Sequence, residues 1–254
     1  MTTGRTAQGE SFYDTSGGRR VFGVEQGLRS GGARMGVVVC QSIGGEYFTH
    51  HKVMVQLADM LARQGAPCVR FDYTGCGDSE GSMEAMDVSR WLGDIGRMAD
   101  RLRSRSAVEK ICLCGFRLGA ALAAMYGSQT GGTERLVLWD PVVSGRRYVN
   151  ELRKAHKRWL RGSFAKARRG DRALQELGFP CRAQLRRQLE AIDLVNLPSP
   201  PAREVMILHG GAEEGVGELS RRWERAGADV DLCVLPAGAL ALSALRAVAK
   251  RVLK

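Results

Sequence analysis

The residues that could do chemistry lie in Lys110-Ile-Cys-Leu-Cys-Gly-Phe-Arg-Leu-Gly-Ala-Ala-Leu-Ala-Ala-Met125. Ile111 to Cys114 is a short apolar run of the buried-strand type. Gly115-Phe-Arg-Leu-Gly119 follows, and then an Ala/Leu-rich stretch that favours a helix. A strand, a tight glycine-flanked turn and a helix are the setting of the G-x-S-x-G nucleophile elbow, where the turn presents a serine to an acyl carbon. The central residue here is Arg117. A guanidinium stays protonated and offers no lone pair for attack. The sequence thus carries the frame for acyl-transfer chemistry with its nucleophile replaced. Because the turn also opens a helix, whose N-terminus favours anions, Arg117 is expected to make an anion-seeking site.

The elements that must position this turn can be read along the chain. Phe12-Tyr-Asp and Val21-Phe-Gly-Val suggest one or two edge strands, and Met35 to Cys40 a strand buried on both faces. A loop from Gln41 to His51 precedes a helical pattern at Val53, Leu57, Met60 and Leu61. Cys68 to Tyr73 is a strand ending in a glycine-rich loop to Ser82, and a helix spans about Glu84 to Arg103. After the elbow come a strand at Leu136 to Trp139, a segment from Ser144 to about Asn196 that reads as helical throughout, and a strand at Val205 to Leu208. A helix at Gly217 to Arg225, a strand at Val230 to Leu235 and a helix at Leu240 to Leu253 close the order. Strands alternating with helices imply an α/β fold with a mostly parallel sheet flanked by helices.

Three stretches resemble the α/β-hydrolase superfamily, in particular bacterial serine-aminopeptidase-like and exosortase-associated hydrolases. They are Phe71-Asp-Tyr-Thr-Gly-Cys-Gly-Asp-Ser79, the elbow itself, and Leu136-Val-Leu-Trp-Asp-Pro-Val-Val-Ser-Gly145. The resemblance implies a core of residues 1–145 and 197–254, with residues 146–196 as a helical cap over the active site. It places the acid of the triad at Glu213, or else at Glu214, and the imidazole after the last strand, where this chain has Leu240 and no histidine. It assigns the oxyanion donors to the backbone amides of Ile43 and Leu118, which side-chain changes leave in place. Phe116, Asp140 and Ser42 are expected to line the ligand site, and Arg117 is expected to pair with Glu213, or with Asp140 if Glu213 points away. An ordinary serine mechanism is therefore not expected. The alternative is an active acyl hydrolase, transferase or cyclase using Arg117 and Glu213.

Composition narrows the partners. The net charge is +11, and residues 146–190 hold 14 Lys and Arg against 4 Asp and Glu. A block of that kind suggests an acyl-thioester, another anionic small molecule or an acidic carrier protein. Nucleic acid is disfavoured, because no recognition motif or regular aromatic interleaving accompanies the charge. The seven cysteines are scattered without a C-x-x-C pair, so reduced thiols in a cytoplasmic protein are expected, with no metal and no cofactor. The start of the chain has no apolar signal core, and no run approaches the ~20 apolar residues of a membrane span.

Overall fold

The computed structural model describes residues 9–27, 34–162, 174–176, 179–211, 215–235 and 242–253. Its strands are β1 (Glu10–Asp14), β2 (Val21–Gln26), β3 (Met35–Cys40), β4 (Cys68–Phe71), β5 (Lys110–Phe116), β6 (Arg135–Trp139), β7 (Leu174–Glu176), β8 (Phe179–Cys181), β9 (Glu204–His209) and β10 (Asp229–Val234). Eight of them form one sheet in the order β1-β2-β4-β3-β5-β6-β9-β10. Pairs β1–β2 and β2–β4 are antiparallel, and every pairing from β4 onward is parallel.

Among the described residues, seven α-helices accompany the sheet: α1 (Gly45–Arg63), α2 (Val88–Ser106), α3 (Leu118–Thr130), α4 (Gly145–Gly162), α5 (Ala183–Glu190), α6 (Val216–Arg225) and α7 (Leu242–Leu253). Side chains alternate across a strand, so β5 divides the core. Ile111 and Leu113 face α2, α3 and α6, meeting Trp91, Ile95, Leu122 and Trp223. Cys112 and Cys114 face α1 and α7, meeting Leu57, Leu61 and Val248. Helix α3 is apolar all round and is buried along most of its length, as such a sequence requires.

Two expectations need correction. Helix α1 begins at Gly45, so Glu46, His50 and His51 stand on its first turns and not in a loop. The polar run Thr49-His50-His51 hides the helical period there, while Glu46 suits the positive end of the helix. The segment after β6 is also not helical throughout. Between α4 and α5 the antiparallel hairpin β7–β8 intervenes, with Pro180 opposite Gln175. Proline disrupts a helix interior but is tolerated in a short edge strand.

The glycine-rich loop after β4 is organised by Asp72. Its Oδ2 accepts the N–H of Asp78 at 3.0 Å, and its carbonyl accepts the Ser79 hydroxyl at 2.5 Å. Asp94 on α2 accepts both the N–H and the hydroxyl of Thr74, at 2.8 and 3.1 Å. Gln41, at the end of β3, donates from Nε2 to the Phe71 carbonyl at 2.6 Å and to Asp72 Oδ1 at 3.2 Å. The loops after β3 and β4 are thereby fixed to each other beside the elbow.

The elbow depends on backbone contact that tolerates no side chain. A Cβ at Gly119 would overlap the carbonyl oxygens of both Cys40 and Gln41, and one at Gly115 would overlap Ala120 Cα. Gly119→Ala should therefore destabilise the protein by about 3 kcal/mol or more, read from urea denaturation. A loss within about 0.5 kcal/mol would mean that β3 and α3 can separate without penalty.

Candidate functional site

Arg117 stands on the turn between β5 and α3 with φ 48° and ψ −117°, a region a non-glycine residue enters only under strain. The surroundings hold it there. Its N–H donates to the Trp139 carbonyl at 3.0 Å, and its own carbonyl accepts from Ala120 at 3.1 Å and from Ala121 and Val142 at 3.3 Å. Strain of this kind costs about 1–3 kcal/mol and persists where neighbours over-determine it. The nucleophile-elbow backbone is thus intact around an arginine.

The side chain is drawn into ion pairs. Nε donates to Glu46 Oε1 at 2.9 Å, Nη2 to Glu151 Oε2 at 3.2 Å and Nη1 to the Asp140 carbonyl at 3.3 Å. Tyr148 steadies the group, with its ring centroid 5.8 Å from the guanidinium and its hydroxyl donating to Glu46 Oε2 at 3.1 Å. Helices α1 and α4 each supply one carboxylate, so the elbow ties together three elements distant in sequence. Glu46 and Glu151 were missed at the sequence level. Glutamates are common surface residues, and nothing in their local pattern points toward residue 117.

The expected pairing of Arg117 with Glu213 falls on residues outside those described. Asp140 meets it through the backbone carbonyl, while Asp140 Oδ1 accepts the N–H of Gly210 at 2.8 Å. Glu213 and Leu240 lie outside the described residues. Among the described residues, two carboxylates engage the guanidinium. Phe116 is buried and stacks on Trp139 with ring centroids 4.8 Å apart, so its ring belongs to the core and not to a ligand site.

Of the oxyanion positions, Ile43 lines a cavity of about 410 Å³ together with Ser42, Phe48, Cys76, Met83 and Met86, whereas Leu118 is buried and is not among the lining residues. Ser42 Oγ lies 3.2 Å from His50 Nδ1 and 3.4 Å from the Phe116 carbonyl. Burial is the main cause holding the His50 pKa below the usual imidazole value, against the pull of nearby Glu46. His209 accepts the N–H of Gly211 on Nδ1 at 3.2 Å, and the His156 ring stacks on Trp159. The cysteines are free thiols. Burial pushes Cys40, Cys76 and Cys112 up to about 12 and Cys114 well above its ordinary value, which removes them as thiolate nucleophiles. Among the described residues, no group of three or more His, Cys, Asp or Glu is placed to hold a metal ion, and no helix is long and apolar enough to cross a membrane.

A mostly parallel sheet wound with helices on both faces, with a glycine-flanked elbow at the end of a central strand, defines an α/β-hydrolase. Residues 37–193 match the model of the family described as serine aminopeptidase, S33, and the chain belongs to that family. Among solved structures, the esterase Pf2001 from Pyrococcus furiosus superposes with a TM-score of 0.70 at 15% identity, covering 97% of this chain and 89% of its own. Est1E from Butyrivibrio proteoclasticus, seen with ferulic acid, gives 0.66 at 15% identity over 95% and 96%. An alpha-beta serine hydrolase homologue from Coxiella burnetii gives 0.57 at 15% identity over 96% and 95%. At these identities the likeness carries the fold. A search of curated proteins finds no match.

Replacing Arg117 by Met leaves Glu46 partly buried without its cation. Arg117→Met should lower stability by roughly 1–3 kcal/mol with the far-ultraviolet spectrum unchanged, read from denaturant midpoints. An unaltered midpoint would mean that the ion pairs contribute nothing to the fold.

Proposed function

We propose that this chain is an α/β-hydrolase relative that no longer cleaves esters at its elbow and instead holds an acyl ligand in the cavity beside it. The observation that carries the reading is the engagement of Arg117 by Glu46 and Glu151. The position that should attack an acyl carbon bears a side chain without a lone pair, already bound on both sides. The same pairs speak against Arg117 as an electrophilic clamp working with Glu213.

The cavity favours an acyl chain. Ile43, Phe48, Met83 and Met86 give it apolar walls, and flexible thioethers adapt to chains of varied length. Each methylene buried there is worth about 0.8 kcal/mol. The natural carrier of such a chain is an acidic carrier protein or a coenzyme A thioester with its phosphates. Helix α4, with seven Lys and Arg against one Glu, complements either, and it reaches the elbow through Glu151. On this reading residues 146–196 act as a cap, and the protein works in the cytoplasm.

A second reading rests on the Ser42–His50 contact. A serine hydroxyl within hydrogen-bond reach of a neutral imidazole is the first requirement of a nucleophilic pair, and Ser42 lines the same cavity. Against it, Ser42 is 1% exposed. A fluorophosphonate probe separates the two: the first reading expects no labelled serine, and stoichiometric labelling at Ser42 selects the second.

Binding itself is tested with a fluorescent fatty-acyl probe displaced by decanoyl-coenzyme A. The native protein should bind the probe, and Met86→Trp, which fills the cavity, should weaken binding about tenfold. Absence of probe binding by the folded native protein would contradict the acyl-ligand proposal.

A further inference from the structure

Arg70 lies outside everything described so far. It stands on β4 opposite Val24 of β2, on the face of the sheet covered by α1. It is 9% exposed, its Nε is buried without a hydrogen-bond partner, and its guanidinium makes no ion pair among the described residues. A buried guanidinium in this condition is costly to the fold, because desolvation of the charge is not repaid. It borders a separate cavity of about 330 Å³ that Gln41, His51, Asp72 and Asp78 also line. Tyr47 forms part of the wall of both this cavity and the apolar one.

The other polar groups of the cavity define what is missing. The Asp72 carboxylate already accepts from the Gln41 amide and the Asp78 N–H. Burial, the leading cause, pushes the Tyr47 phenol up to about 12, so it stays protonated. Asp78 is exposed at the rim. Two further buried atoms have no partner: Gln41 Oε1, an acceptor, and His51 Nδ1, which can take either role. The unsatisfied set is therefore one cation, one acceptor and one adaptable nitrogen. A compact monoanion carrying a hydrogen-bond donor completes it. A phosphate dianion is disfavoured, because Asp72 and Asp78 share the cavity with the single arginine.

We propose that this cavity is a binding site for a small hydroxy-carboxylate, with the carboxylate on the Arg70 guanidinium and the hydroxyl donated to Gln41 Oε1 or His51 Nδ1. The site is distinct from the elbow and from the acyl cavity, and its test uses no acyl ligand, so the two proposals stand or fall separately.

Isothermal titration of the full chain with glycolate, acetate, methyl glycolate and inorganic phosphate decides the matter. Glycolate should bind in the millimolar range, acetate several-fold more weakly for want of a donor, and methyl glycolate and phosphate more weakly still. Arg70→Met should weaken glycolate about tenfold or more, while its melting temperature without ligand stays level or rises, since a buried unpaired charge has been removed. If that variant does not fold, Val24→Phe, which fills the cavity from β2, should weaken glycolate in the same way. No glycolate binding by the native protein, or undiminished binding by a folded Arg70→Met, would overturn the site. Acetate binding as tightly as glycolate would overturn the role of the hydroxyl, and phosphate binding more tightly would overturn the carboxylate class.

Discussion

One strained residue and its ion pairs to Glu46 and Glu151 hold the centre of this molecule. The backbone of Arg117 is bent into a conformation that an arginine adopts only at a cost, and it stays there because Trp139, Ala120, Ala121 and Val142 bond its N–H and carbonyl. In a working hydrolase such a turn serves to expose a nucleophile. Here the same turn aims a long cation at the N-terminal turn of α1 and at α4, where Glu46 and Glu151 receive it. The turn is a junction between the sheet, the helix after β3 and the basic segment after β6.

That junction explains why neighbouring features take the form they do. Gly119 and Gly115 remain because backbone atoms occupy the space of any side chain, whatever the central residue does. Tyr148 packs on the guanidinium and bonds Glu46, so the base of α4 is buried although that helix is rich in charge. The Asp72 network holds the loop after β4 against Gln41, which keeps the apolar cavity open beside Ser42 and Ile43.

Much of the fold was legible because its signals are local. The strand runs, the glycines of the elbow and the Asp72–Ser79 loop each carry a steric or hydrogen-bonding requirement written in adjacent residues. The site was less legible because its decisive contacts are not local: Glu46 and Glu151 lie 71 and 34 residues from Arg117. Phe116 is expected at the ligand site, yet strand alternation turns its ring into the core. The hairpin β7–β8 was hidden inside a run whose charge and length suggested helix, and α1 starts earlier than its apolar period shows.

Arg117 bridges the sheet to α1 and α4, and the coupling between Arg117 and Glu46 tests that most directly. A double-mutant cycle of Arg117→Met and Glu46→Gln, read by urea denaturation, should give a favourable interaction energy of about 1–2 kcal/mol, because each side chain is mostly buried and the pair is short. Additive effects, with a coupling within about 0.3 kcal/mol of zero, would contradict it.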